Sequence, residues 1–196
     1  MANLTRKEIL RVFYRATMLA IGMDPDKTYG TEKPPVRISY PSEGQPDWTV
    51  EDNVIFLSYS DVSGDETTQL VHEEWKDSGK DLIRRHFTNR VLQISFVAYG
   101  PNGYENLLKI RHAFLDGASI LRKADLMILP GADTPQYMPE LYQNAWFSRA
   151  DMSLRFNNTM TWDEDVRAIA QVPVTIHDNP AGTDRNHDTG IIIKKG

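Results

Sequence analysis

Two segments of the chain carry apolar residues at helical spacing, residues 4–21 and residues 104–121. In the first, Thr5 and Glu8 have the spacing of a capping box, and Gly22 marks the end. Its opposite face is basic. The apolar positions of this segment are Ile9, Val12, Phe13, Ala16, Leu19 and Ala20. The pattern predicts two amphipathic helices. We expect the first to dock on the core, with a partner-binding arm as the alternative.

Strict alternation of apolar and polar residues predicts β-strands elsewhere in the chain. The clearest strand is at residues 91–99, where Leu92, Ile94, Phe96 and Ala98 share a face. The other alternating or apolar segments are residues 36–40, 54–60, 126–129, 151–157 and 166–176. We expect the last two to pair as a hairpin around a loop at residues 158–165. The predicted fold is α+β: an antiparallel or mixed sheet of about five strands, with two long helices packed on one face.

Composition changes along the chain indicate one domain followed by a tail. We expect residues 1–177 to form the domain and residues 178–196, rich in Asp, Asn, Pro, Gly and Thr, to form a flexible or partner-pairing tail. Residues 61–88 are polar, and they predict an insertion with either a short helix near residues 67–75 or a long loop. The tail ends in Ile191, Ile192 and Ile193, which are either an artificial extension or a strand that pairs with another chain.

Composition and charge exclude several classes of function. The 196 residues include no cysteine, so disulfides, thiolate metal sites and thiol nucleophiles are excluded. The net charge of −5 argues against nucleic-acid binding as the main role. No apolar run reaches the roughly 20 residues of a membrane span, and the basic residues near the N-terminus interrupt any signal-like core. We expect a protein of the cytoplasm that does not contact a membrane.

The motifs of enzymes and cofactor sites are incomplete in this sequence. His72-Glu73-Glu74 begins like a zinc-protease helix, but Lys76 stands where the second ligand belongs. Asp163, Glu164 and Asp165 could hold a metal ion or act as acid and base, although three adjacent carboxylates are usually a solvated cluster. We therefore predict no metal, no cofactor and no enzymatic activity. A small metal-dependent hydrolase using these two segments is the remaining alternative of another class.

Three sequence segments, in a fixed order, resemble the phage neck or tail terminator proteins. The first is residues 37–47, a strand followed by Gly44-Gln45-Pro46. The second is residues 90–105, a strand that runs through Tyr-Gly-Pro into the long helix. The third is residues 141–156, where an aromatic pair and Arg149-x-Asp151 open a strand. With the order of the predicted helices and strands around these segments, the resemblance covers about residues 5–177.

The resemblance implies a structural virion protein, made in the host bacterial cytoplasm and located in the tail neck. Proteins of this family form a six-membered ring that caps the tail tube, ends its polymerisation and joins it to the head connector. The implied partners are further copies of the chain, the tail-tube protein and the head–tail connector protein. Genomic DNA would pass through the lumen without sequence-specific binding. Another head–tail connector or tail-completion subunit is the nearest alternative.

Candidate interface residues are exposed-loop aromatics, the acidic cluster and the apolar tail end. They are Trp48, Trp75, Arg149, Trp162, Asp163, Glu164, Asp165, Ile191, Ile192 and Ile193. Large aromatic residues are common anchors of protein interfaces. Trp162, which stands among acids, is the strongest of these candidates. Trp146 directly precedes a predicted strand, and we expect it in the core rather than at an interface. The three carboxylates could face the lumen, where they would let DNA slide.

Overall fold

The structure is a computed structural model, and it describes residues 3–29, 33–41, 44–62, 70–75 and 81–167. The chain divides into two compact units. The first unit comprises Met1–Gln69 and Phe87–Thr161, and the second comprises Leu70–His86 and Trp162–Gly196. The predicted tail, including Ile191, Ile192 and Ile193, lies outside the described residues.

The described part of the chain contains three helices and nine strands. The helices are α1 (Arg6–Ala20), α2 (Gly103–Leu115) and α3 (Ser119–Lys123). The strands are β1 (Val36–Ile38), β2 (Val54–Asp61), β3 (Leu70–Trp75), β4 (Asp81–Tyr99), β5 (Leu126–Ile128), β6 (Gln136–Tyr137), β7 (Glu140–Tyr142), β8 (Ala145–Phe147) and β9 (Arg149–Arg167). Seven strands form one sheet with the order β1-β2-β4-β9-β5, in which β3 also pairs with β4 and β6 with β9. Strands β7 and β8 form a separate hairpin.

The prediction of a five-stranded sheet under two long helices is wrong. The part of the chain that the structure describes is mostly β, with 43% strand and 23% helix, and its helices are short. Helix α2 ends at Leu115 because Gly117 adopts a left-handed φ of 72° and its N–H bonds to the carbonyl of Phe114. Such a glycine is the usual end of a helix. The helix predicted to reach residue 121 is therefore interrupted.

Strands β4 and β9 account for the extra β structure. Each has 19 residues, and each contributes residues to both units. Residues 81–88 lie in the predicted insertion and residues 158–165 in the predicted hairpin loop, but both segments belong to these strands, so neither is a loop. Residues 70–75 likewise form strand β3 instead of a helix or loop. The sequence pattern does not predict these strands, because charged residues lie on both faces and the alternation of apolar and polar residues is absent.

One face of the sheet in the first unit forms the core. Leu92, Ile94, Phe96 and Ala98 of β4 are fully buried, as the alternation predicted. From β9, the corresponding residues are Ala150, Met152, Leu154 and Phe156. The helices cover this face with residues Ile9, Phe13, Leu107, Ile110 and Phe114. The core therefore lies between the helices and a single face of the sheet.

Four phenylalanine rings interlock at the centre of this core. The ring centroids of Phe13 and Phe156 are 4.7 Å apart, and Phe114 contacts Phe13, Phe96 and Phe156 at 6.0–6.2 Å. The inclined ring pairs have the edge-to-face geometry that aromatic side chains favour. Because these rings come from α1, α2, β4 and β9, they tie both helices to the two long strands.

Helix α1 starts as the sequence predicts. The Thr5 N–H donates to the carboxylate of Glu8 (2.8 Å), and the Glu8 N–H donates to the Thr5 hydroxyl (3.3 Å). The hydrogen bonds that the Thr5 N–H and hydroxyl (2.7 Å) donate to the carboxylate lower the pKa of Glu8. The apolar face of α1 is buried in the core, which favours the docked helix over the partner-binding arm.

We expect Phe13→Ala to lower the free energy of unfolding by about 3–5 kcal/mol, because it leaves a cavity among four rings. Leu19→Ala is the control on the same helix. Leu19 is 54% exposed, so its loss should cost less than about 0.5 kcal/mol. Urea unfolding followed by circular dichroism measures both. Similar, small effects for the two variants would show that this cluster does not hold the core together.

Candidate assembly interface

The β7–β8 hairpin presents its two faces to different surroundings. Gln143 and Asn144 join the strands with φ values of 47° and 64°, the conformation of a two-residue type I′ turn. Leu141 pairs with Trp146 across the strands. Glu140 pairs with Phe147, and Tyr142 with Ala145, so these four residues share the opposite face.

The face that carries Glu140 is anchored to the sheet. The Tyr99 hydroxyl donates to Glu140 Oε2 (2.9 Å), and Arg149 Nη1 donates to the same oxygen (3.0 Å). Arg149 also binds Asp151 in a bidentate pair, with distances of 2.8 and 2.7 Å. The Phe147 ring meets Tyr99 edge to face at 6.3 Å. Arg149 therefore joins the hairpin to β9, a role that the interface prediction did not anticipate.

These contacts shift the pKa values of Tyr99, Glu140 and Arg149. Burial, followed by the hydrogen bond to Glu140, raises the pKa of Tyr99 to about 12. The hydrogen bonds from Tyr99 and Arg149 lower the pKa of Glu140, and the bond to Asp151 raises that of Arg149. Near neutral pH the anchor thus consists of a neutral phenol donor, a carboxylate and a guanidinium, a combination that makes strong, charge-assisted hydrogen bonds.

The face that carries Leu141 and Trp146 is exposed. Leu141 is 55% exposed and Trp146 is 67% exposed. The expectation that Trp146 lies in the core is therefore wrong. It fails because Trp146 is the middle residue of β8, which belongs to a separate two-stranded hairpin and not to the main sheet. A tryptophan and a leucine held side by side on a fixed hairpin are typical of a protein-binding surface.

Two clefts share Trp48 and Tyr99, and the second is also lined by residues of the hairpin. The first, of about 390 Å³, is lined by Ser39, Tyr40, Gln45, Trp48, Phe56, Val97, Tyr99 and Arg149. The second, of about 640 Å³, is lined by Asp47, Trp48, Tyr99, Glu140, Tyr142, Gln143 and Phe147. Trp48 is half-buried, since its ring packs on Phe56 (5.0 Å) and Tyr99 (5.7 Å). The predicted interface residues Trp48 and Arg149 thus line the same cleft.

Tyr40 is a further exposed aromatic residue that the sequence analysis missed. It is 95% exposed, and its φ of 57° is a strained conformation for a bulky side chain. Strained residues tend to lie at functional positions. The sequence carries no clear signal for this conformation, because tyrosine is an unusual residue there.

In the second unit the acidic cluster lies within strand β9 and is paired with arginine. Arg85 binds Asp163 in a bidentate pair (2.7 and 2.9 Å), and its Nη1 is 3.6 Å from Glu74. Arg84 bonds to Glu73 (2.7 Å) and lies 4.0 Å from Glu164. Adjacent residues of a strand point to opposite faces. Arg85 therefore forms a row of charges with Glu74 and Asp163 on one face. Arg84 forms a second row with Glu73 and Glu164 on the other face. The Arg85 hydrogen bond lowers the pKa of Asp163.

The second unit also contains two of the predicted interface tryptophans. Trp162 is 41% exposed and stacks on the His86 ring, with centroids 5.2 Å apart. Trp75 is 42% exposed, and Asp165 is exposed as well. Trp162 and the three carboxylates lie in a strand, so the prediction that they occupy a hairpin loop is wrong.

The two segments that could carry hydrolytic chemistry lie in strands β3 and β9. Within the described ranges, no group of three or more such side chains could hold a metal ion. Glu73 and Glu74 lie in strand β3, where alternation sends them to opposite faces.

No helix of the described residues is long and apolar enough to cross a membrane.

Comparison with known proteins gives the class of the chain. The sequence profile of a family described as phage neck terminator protein matches residues 7–180. No curated protein sequence matches the chain. The profile covers nearly the whole chain, including both strands that anchor the hairpin.

The chain belongs to the phage neck terminator protein family. This confirms the resemblance found in the sequence. A protein of this family is a structural component of the virion tail, and it works through contacts with other tail or head proteins.

We expect Glu140→Gln to loosen the hairpin without unfolding the protein. The substitution keeps the shape of the side chain but removes the charge that strengthens both hydrogen bonds. Amide hydrogen exchange at residues 140–147 should become faster, and the pKa of Tyr99 should fall from about 12 towards the ordinary value of 10. Glu51→Gln, at an exposed position, is the matched control. An unchanged tyrosine titration would contradict the proposed anchor.

The same shifts predict how the hairpin responds to pH. The raised pKa of Tyr99 means that its stabilising effect is complete below pH 10 and is lost as the pH rises through about 12. The lowered pKa of Glu140 means that its effect is present above the ordinary value of 4.5 and is lost as the pH falls below it. Hydrogen exchange at residues 140–147, corrected for the intrinsic pH dependence, should show maximal protection between these limits.

Proposed function

We propose that the protein forms a closed ring of six copies that caps the tail tube, ends its polymerisation and joins the tail to the head connector. Membership of the neck terminator family supports this proposal. The observation that carries it is the hairpin, whose Glu140 side is fixed to the sheet while Leu141 and Trp146 are exposed. The free energy of the assembly falls when a partner covers a rigid apolar surface of this kind.

The capping mechanism is geometric. A ring can bind the last layer of tube subunits with one face, while its other face does not resemble a tube subunit. Further tube subunits then find no complementary surface, and growth stops. The opposite face of the ring is free to bind the connector protein. No chemical step is needed, so we propose that the protein is not an enzyme.

The lumen of such a ring would let the genomic DNA pass without sequence-specific binding. The net charge of −5 would keep the DNA backbone from adhering. Asp163 and Glu164 are paired with Arg85 and Arg84, and because each arginine also pairs with Glu74 or Glu73, each row keeps one net negative charge. We propose that Trp75, Trp162 and Asp165 keep their predicted interface roles and contact neighbouring subunits around this passage.

The proposal also covers the domain, the C-terminal tail and the place where the protein is made. Residues 1–177 would act as one domain, and residues 178–196 would reach a neighbouring subunit through Ile191, Ile192 and Ile193. The protein would be made in the host bacterial cytoplasm before it joins the virion. The hydrolase alternative is not favoured, because Glu73, Glu74, Asp163 and Glu164 all pair with arginine.

Light scattering of the purified protein tests the ring. One copy has a mass of 22.4 kDa, so six copies should give about 134 kDa. The double variant Leu141→Ser/Trp146→Ser should remain at the mass of one copy, because it removes the apolar surface. Met127→Ser, at a 57% exposed residue of β5, should assemble normally.

If the chain alone has the mass of one copy, the same comparison is made with the tail-tube protein of the same phage added. We then expect rings bound to tube subunits for the unchanged chain and for Met127→Ser only. A chain that stays single under both conditions would contradict the ring. Normal assembly of the double variant would show that the hairpin is not the contact.

A further inference from the structure

We propose that the cleft of about 640 Å³ between the β7–β8 hairpin and Trp48 binds an arginine side chain of another head or tail protein. This inference goes beyond the proposed ring, because the cleft lies within one copy of the chain. Proteins of the neck terminator family work through contacts with other tail or head proteins, so such a protein is the source of the side chain. A wall of aromatic rings next to two carboxylates points to arginine.

Four aromatic rings line this cleft one after another. In spatial order they are Trp48, Tyr99, Phe147 and Tyr142. Successive ring centroids are 5.7, 6.3 and 6.2 Å apart, and the ring planes are inclined by 48°, 88° and 68°. Tyr142 is exposed, and the other three rings are half-buried. Because the faces of aromatic rings carry partial negative charge, such a wall attracts cations.

Two carboxylates at the same cleft have oxygens without a partner in the part of the chain that the structure describes. Asp47 is exposed, and its carboxylate forms no hydrogen bond or ion pair there. Glu140 accepts hydrogen bonds from Tyr99 and Arg149 on Oε2, which leaves Oε1 free. With Asp151, which Arg149 also binds, these side chains hold three negative charges against one positive charge. The cleft is therefore suited to a cation.

Arginine fits this combination better than an apolar side chain or lysine does. An apolar side chain would take the carboxylates out of water without giving them a partner, which is costly. The planar guanidinium of arginine stacks on an aromatic ring and also binds a carboxylate through two N–H groups, which the ammonium of lysine cannot do. The chain already contains this geometry once. The guanidinium carbon of Arg149 lies 5.9 Å from the centroid of the Tyr99 ring, and the same group binds Asp151 through two hydrogen bonds.

The cleft is formed before a partner arrives. Its hairpin wall is fixed by the hydrogen bonds of Glu140, and Trp48 packs on the rings of Phe56 and Tyr99. A preformed site binds more tightly, because little ordering is left for the moment of contact. The volume lies within the roughly 300–1,000 Å³ of pockets that enclose sizeable ligands, so an arginine side chain has room to enter.

Saturation-transfer NMR with small probes tests the site on the whole chain at low salt. The probes are N-acetyl-arginine amide, its lysine counterpart and its neutral citrulline counterpart. We expect the arginine probe to bind most tightly and the citrulline probe about tenfold more weakly, because citrulline has the shape of arginine without the charge. Equal binding of the arginine and citrulline probes would overturn the proposed site.

Two substitutions with matched controls locate the binding. Asp47→Asn and Tyr142→Leu should each weaken binding of the arginine probe about threefold, by removing a charge and a ring face. Asp133→Asn, at an exposed acid, and Tyr137→Leu, at a 59% exposed tyrosine of β6, should leave it unchanged. Neither control residue lines the cleft. Equal effects in the variants and their controls would also overturn the site.

Binding to whole proteins tests the source of the arginine. The double variant Asp47→Asn/Tyr142→Leu should bind either the tail-tube protein or the head connector protein of the same phage about tenfold more weakly, and Asp133→Asn/Tyr137→Leu should not. Unchanged binding of both proteins, or a loss of self-association in light scattering instead, would overturn another protein as the source. A chain that stays at the mass of one copy but binds the arginine probe would contradict the ring alone and leave this site standing.

Discussion

The alternation of residues along strands β4 and β9 is the constraint on which the first unit depends. Phe96 and Phe156 must face the helices, where they interlock with Phe13 and Phe114. This orientation fixes the other face of both strands as well. Tyr99, Arg149 and Asp151 therefore lie on the side away from the core, where they anchor Glu140 of the hairpin. A register slip of one residue would bury these polar groups and release the hairpin.

The exposed hairpin face is stable because polar contacts hold its other face. Two strands of three residues are marginal on their own in water. Here the carboxylate of Glu140 accepts hydrogen bonds from two strands of the main sheet, and Phe147 packs on Tyr99. Leu141 and Trp146 are thereby presented without any need to bury themselves within the same chain. This arrangement suits a structural protein that works through contacts with other tail or head proteins.

The sequence predicts those parts of the fold whose pattern is local. The capping box at Thr5 and Glu8 and the buried face of residues 91–99 are confirmed, because each depends on residues close together in the chain. The first half of β4 and the last part of β9 were missed, since they pair charges that lie 78 positions apart, such as Arg85 and Asp163. No local pattern records such pairing. The Gln143-Asn144 turn was missed for another reason: it lacks the glycine that marks most two-residue hairpins.

Electron microscopy of growing tail tubes tests the central claim, that the chain caps the tube. Tube protein of the same phage is allowed to polymerise with the gold-labelled chain present, and fresh tube subunits carrying a second label are then added. The account predicts gold at one end of each tube and no second label beyond it. Gold along the tube walls, or continued growth past the gold, would contradict it.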